Sequence, residues 1–137
     1  VMNFSGQTVA MGTFLAGLGT IYAVLAPVLG WIGTAVTGSD TSANALFSKL
    51  QVSAAENLQH AGVSGATPEL MLAANTTGGV VGKMISPQSL AIAATSVDME
   101  GKESDILKAV VPWSFAMLVV VCLLVFLQTN VLSFLVP

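Results

Sequence analysis

Residues 83–89 gather a cation and several neutral hydrogen-bonding side chains in an otherwise apolar stretch: Lys83, Ser86, Gln88 and Ser89. Pro87 follows Ser86 directly, the pairing that opens helices with serine as N-cap and proline at the first helical position. A helix start carries unsatisfied N–H groups and a partial positive charge. Together with the Lys83 ammonium it forms a donor set suited to an anion with a carboxylate and a hydroxyl. Just upstream lie Asn75, Thr76 and Thr77, followed by Gly78, Gly79 and Gly82. Glycine pairs end helices, so the spacing predicts a half-helix from Pro68 to about Thr77, a break from Gly78 on, and a second half-helix from Pro87 to about Ser96.

A second polar stretch, TGSDTSANALF at 37–47, supplies Asp40 together with Ser39, Thr41 and Asn44, which are candidate substrate contacts. An acid at bilayer depth is costly and marks an ion pathway, a proton relay or an ion pair. Asp40 is therefore read as the proton-coupling group. It also suits an N-cap for the residues that follow, and the two roles are compatible. Lys83 faces substrate, pairs with Asp40 or snorkels to an interface. Asn44 and Asn75 serve as interhelical bonds or as ligand contacts. Their closeness to the breaks favours contacts. Thr76 and Thr77 can equally bond back to their own helix. His60 sits among loop-like neighbours and reads as a surface histidine. Helix ends that stop at Gly38 and Gly78 would present free carbonyls, which suit cations or protons.

The elements that must hold these groups are membrane helices. The chain has 137 residues, 54% hydrophobic and 8% charged, with mean hydropathy +0.83; soluble domains carry about 25% charged residues. No charged side chain precedes Asp40. Residues 8–26 form an uncharged run long enough for a spanning helix. Residues 27–55 have a short apolar arm, a polar tip and a return arm, the pattern of a re-entrant hairpin. Residues 68–96 form the broken helix. Such breaks at membrane depth are tolerated only when buried in protein or lining a cavity, and they are typical of transporter sites. Residues 97–108 hold Asp98, Glu100, Lys102, Glu103, Asp105 and Lys108 and form a polar loop, placed on the cytoplasmic side by its lysines. Residues 109–136 make the last spanning helix, in which Cys122 packs as a small hydrophobe. The fold class is thus an all-α integral membrane protein. In the topology this implies, both polar breaks meet near the middle of the membrane. The start on Val1 inside an apolar region suggests the C-terminal part of a larger transporter lacking its N-terminal part.

Several classes are disfavoured. Four lysines and no arginine are too few for a nucleic-acid surface. One cysteine allows no internal disulfide. The sequence lacks the H-E-x-x-H, Ser–Lys or paired-acid pattern of a membrane enzyme, and no cofactor is expected. A channel also uses polar re-entrant segments, but charged rings and a carbonyl-filter signature are absent.

Three segments, GWIGTAVTGSDTSANALF (30–47), AANTTGGVVGKMISPQSLAIA (73–93) and GKESD (101–105), resemble the C-terminal region of the bacterial L-lactate permease family. The resemblance runs over most of the chain. It implies a proton-coupled carrier for lactate and related 2-hydroxy monocarboxylates in the bacterial inner membrane, within a superfamily of ion transporters that use hairpins and broken helices. Another carboxylate or ion carrier of that superfamily is the alternative. Ala43 departs from the pattern: a second serine is expected after Ser42, so one tip hydroxyl is missing. The resemblance does not assign individual lactate-binding side chains.

Overall fold

The computed structural model describes residues 6–132 and 134. Within them the chain is helical: α1 (Gln7–Ala16), α2 (Thr20–Thr37), α3 (Asp40–His60), α4 (Pro68–Gly82), a 3₁₀ turn (Lys83–Ile85), α5 (Pro87–Ser96) and α6 (Glu103–Asn130). No strand occurs among the described residues. Two helices, α2 and α6, are long and apolar enough to cross a bilayer.

The expected span at 8–26 is not one helix. It stops at Ala16, and Gly19 turns the chain with φ 60° and ψ −137°, a conformation open to glycine. The next helix then runs straight through Pro27. A proline inside a helix forfeits one backbone hydrogen bond. Neighbouring helices supply donors around it: Cys122 Sγ donates to the Val24 carbonyl (3.4 Å) and Gln51 Nε2 to the Ala26 carbonyl (3.4 Å). Cys122 therefore packs as a small side chain and also ties α6 to α2. The apolar arm at 27–36 is consequently the second half of α2 and not a separate arm.

The glycines of α4 do not end it. The helix continues through Gly78 and Gly79 to Gly82, and the break follows at the 3₁₀ turn and the extended Ser86. These glycines serve close approach instead. A Cβ on Gly78 would strike the Pro27 carbonyl, one on Gly82 the Trp31 carbonyl, and one on Gly30 the Asn75 carbonyl. Gly78 and Gly82 are four residues apart, as are Pro27 and Trp31, so one face of α4 lies flat on one face of α2. Small residues at such spacing permit backbone contact between membrane helices.

The core continues this economy of volume: Ala23, Ala26, Ala54, Ala55, Ala66 and Ala74 surround Tyr22, Leu58 and Met71. The last helix joins through Ser114, whose hydroxyl accepts from Trp31 Nε1 (2.9 Å) and donates to the Val81 carbonyl (3.1 Å). Elsewhere α6 turns apolar side chains outward, with Trp113 70% and Phe115 58% exposed. It begins at Glu103, so the polar connection is shorter than 97–108. It ends at Asn130, short of the expected 136; beyond 132 only Phe134 is among the described residues.

Candidate functional site

The tip between α2 and α3 is built from local rules. Gly38 closes α2 in the left-handed region (φ 71°), and its N–H donates to the Thr34 carbonyl at 2.8 Å. The Thr37 hydroxyl donates within 2.7 Å of the Gly33 carbonyl and accepts the Ser39 N–H at 3.2 Å. Ser39, and not Asp40, is the N-cap of α3, accepting from the Ser42 N–H at 3.3 Å. Asp40 stands in the first helical turn, where a carboxylate complements the helix dipole.

The second break comes to rest on this tip. Lys83 Nζ donates to the Gly38 carbonyl and, at 3.0 Å, to Gln88 Oε1. An ammonium at the carbonyl end of α2 offsets the partial negative charge there. Gln88 packs so closely that a Cβ on Gly38 would lie 3.2 Å from its Oε1. Two of the three Lys83 donors are thus engaged. Because Oε1 of Gln88 faces Lys83, its amide nitrogen remains for another acceptor on this exposed side. Among the described residues no ion pair joins Lys83 to Asp40; the only salt bridge is the exposed Lys108–Asp105 pair at 3.7 Å.

Ser86 and Ser89 play a different part from Lys83 and Gln88. Ser86 is fully buried and caps α5, accepting from the Ser89 N–H at 3.3 Å. Its hydroxyl also lies 3.0 Å from the Lys83 carbonyl and 3.0 Å from Ser89 Oγ. The pair holds the bend after Lys83 in shape.

Asp40 heads a chain of side-chain hydrogen bonds between α2, α3 and α4. Its Oδ1 lies 3.5 Å from Thr34 Oγ1, and its Oδ2 accepts from Asn44 Nδ2 at 3.3 Å. Asn44 Oδ1 accepts from Asn75 Nδ2 at 2.7 Å and lies 3.1 Å from the Thr76 hydroxyl. Asn75 Oδ1 accepts from Gln51 Nε2 at 3.1 Å, and Gln51 Oε1 accepts from the Tyr22 hydroxyl at 2.7 Å. Tyr22, Gln51, Asn75 and Thr34 are fully buried. Gly79 makes room for the acid: a Cβ there would strike Asp40 Oδ1.

The residues read from sequence therefore fall into two adjoining groups. Lys83 and Gln88 meet at Gly38, next to Ser39, with Ser86 and Ser89 at the bend after Lys83. Asp40, Asn44 and Asn75 form one network, and Asn75 is interhelical. Thr41 is exposed on the first turn of α3. Thr76 and Thr77 bond back to the Leu72 and Ala73 carbonyls, at 3.0 and 2.8 Å. His60 is exposed at the end of α3. Sequence reading missed Thr34, Gln51 and Tyr22. A signal existed for Gln51: Asp40, Asn44 and Gln51 stand four and seven residues apart, on one helical face. Among the described residues no cluster of ligating side chains can hold a metal ion.

The L-lactate permease family model matches residues 1–132. The chain is 45% identical over its whole length to an L-lactate permease of Bacillus subtilis strain 168, and 44% identical to one of Escherichia coli K12. It is 41% identical over 133 residues, 97% of its length, to the glycolate permease GlcA of Escherichia coli K12. The chain spans only about a quarter of these relatives, 23%, 24% and 23% of their respective lengths. No solved structure matches it. With a family model covering nearly all of its residues, the chain belongs to the L-lactate permease family.

Proposed function

We propose that this chain is the part of a multi-pass plasma-membrane carrier that binds lactate or a similar 2-hydroxy monocarboxylate and couples its uptake to protons. The observation that carries the reading is the meeting of the two breaks: the Lys83 ammonium rests on the Gly38 carbonyl, two residues from Asp40. The cation is thereby seated at the turn that leads into Asp40, and the two form no ion pair with each other. The names of the relatives, permeases for L-lactate and for glycolate, supply the substrate class.

In this reading the third Lys83 donor and the Gln88 amide receive the substrate carboxylate. Thr41 and the start of α3 face the substrate hydroxyl, while Asn44 lies between substrate and acid. Asp40 takes and releases the coupled proton. Ser39, Ser86, Ser89 and Asn75 shape the site. The tip between α2 and α3 then lies within the membrane, the stretch from α4 through α5 crosses it as an interrupted helix, and the remainder of the carrier covers their exposed polar face. The inner membrane of a bacterium is the expected location.

The test is uptake of labelled L-lactate and glycolate into vesicles carrying a full-length permease that contains this segment. A proton gradient, acid outside, should drive accumulation above the external concentration, and an uncoupler should abolish it. Simple equilibration would indicate a channel, and turnover of lactate without transport an enzyme.

A further inference from the structure

The hydrogen-bond chain from Tyr22 to Asp40 has a direction, and one fixed group sets it. Gln51 Nε2 donates to the Ala26 carbonyl as well as to Asn75 Oδ1. A backbone carbonyl only accepts, so the Gln51 amide cannot be turned around without losing that bond. Its orientation passes along the chain. Asn75 must present Oδ1 to Gln51 and hence Nδ2 to Asn44. Asn44 must then present Oδ1 to Asn75 and Nδ2 to Asp40. The Tyr22 hydroxyl closes the far end by donating to Gln51 Oε1. No buried side-chain nitrogen or oxygen is left without a partner among the described residues.

We propose that Gln51 and Asn75, which do not touch Asp40, are positioning residues for it: anchored on the Ala26 carbonyl, they hold the Asn44 amide with its N–H toward the carboxylate and so favour the proton-accepting form of the acid. This rests on the reading of Asp40 as the coupling group. Once Asp40 is protonated, its O–H seeks an acceptor, and Asn44 offers one only by turning over against Asn75. A proton on Oδ2 is therefore resisted by the whole chain, while Oδ1 has only the more distant Thr34 hydroxyl, at 3.5 Å, to meet.

Other charged groups are poorly placed to do this work. Facing from α2 are Thr34 and, at the far end, Tyr22; α1 and α5 carry no charge. From the α4 side, Lys83 bonds to Gly38 and Gln88 and forms no ion pair with Asp40, and Glu69 is exposed at the opposite end. On α3 itself, Lys49, Glu56 and His60 are exposed. Gln51 lies eleven residues along α3 from Asp40, about 16 Å at 1.5 Å per residue, so its influence on the acid must travel through the chain of bonds.

The test is the pH dependence of lactate uptake in a full-length permease containing this segment. Uptake by a proton-coupled carrier falls as rising pH leaves its coupling group without a proton. Gln51→Met keeps the side-chain length but cannot donate, which frees Asn75 and Asn44 to turn and accept from protonated Asp40. The pH of half-maximal uptake should then rise by about 0.5–1 unit, with the maximal rate at low pH retained. Tyr22→Phe, which removes one hydroxyl and keeps the ring, should shift it in the same direction by less; it decides the matter if Gln51→Met fails to fold. Asp40→Asn is measured beside them. Loss of gradient-driven uptake in Asp40→Asn with an unshifted profile in the Gln51 and Tyr22 variants overturns the positioning role and leaves Asp40 as the coupling group. An unchanged pH dependence in Asp40→Asn overturns both.

Discussion

The ammonium of Lys83 donates to the carbonyl of Gly38, so the cation of one helix interruption is seated on the end of the helix that leads into the other. This single bond brings the 3₁₀ turn after α4, the N-terminus of α5 and the tip between α2 and α3 into one place. It also leaves Lys83 with a donor to spare and separates it from Asp40.

Lys83→Gln removes the charge but retains a donor. If the ammonium also receives the substrate, a charge-assisted bond of about 1.5–3 kcal/mol is lost, and lactate affinity falls roughly 10- to 150-fold. Because Lys83 and Asp40 do not pair, adding Asp40→Asn should recover neither expression nor binding. Binding of labelled lactate to the purified full-length variants checks this. Recovery in the double variant would show that the two charges balance each other.

Ser86→Ala separates shaping from contact. The residue is buried and caps α5, so its loss should cost about 0.5–2 kcal/mol of stability and lower the melting temperature. Lactate affinity should stay within about threefold, well short of the tenfold that 1.4 kcal/mol represents. A tenfold drop with unchanged melting would make Ser86 a ligand.

Gly78→Ala tests the contact between α2 and α4. Its methyl meets the Pro27 carbonyl, which belongs to a backbone that cannot swing aside. Overpacking of this kind costs about 1–3 kcal/mol, and folded yield should fall. Thr77→Ala, one residue away on the exposed side, should stay within about 0.5 kcal/mol. Equal behaviour of the two variants would contradict the close approach.

In the proposed carrier the tip lies at membrane depth and should still be reachable from water. Ser42 and Thr41 are exposed on the first turn of α3. A cysteine at either position, in a carrier lacking Cys122, should react with a small hydrophilic thiol reagent, and lactate should slow the reaction. A cysteine that stays unreactive with and without lactate would place this face against lipid.

What the sequence made legible were features written within three or four residues. Thr67-Pro68 and Ser86-Pro87 start helices because cap and proline act on the adjacent backbone, and Gly38 ends one because it alone accepts φ 71° without strain. What it did not reveal depended on partners far along the chain. Gly78 and Gly79 look like a helix stop, yet their role is to admit the Pro27 carbonyl and the Asp40 carboxylate, and only the register of α2 and α3 against α4 discloses that. Pro27 looks like a helix end, but α2 runs through it, packed on Gly78 of α4 and bonded at neighbouring carbonyls by Gln51 and Cys122. Gln51 shares a face with Asp40 and Asn44, but its link to them runs through Asn75 on another helix. For the same reason Ser39 took the cap expected of Asp40: the choice between neighbouring side chains was settled when Asp40 turned toward Thr34 and Gly79.

The central claim is that Asp40 carries the coupled proton, and the most direct measurement compares two modes of transport in Asp40→Asn. Asparagine preserves the size of the side chain and can keep a hydrogen bond to Asn44, but it cannot gain or lose a proton. In vesicles with a full-length permease containing this segment, uptake driven by a proton gradient should be lost. Exchange of internal for external labelled lactate, which requires no net proton movement, should continue. Gradient-driven accumulation equal to that of the unmodified carrier between pH 5 and 8 would contradict the account.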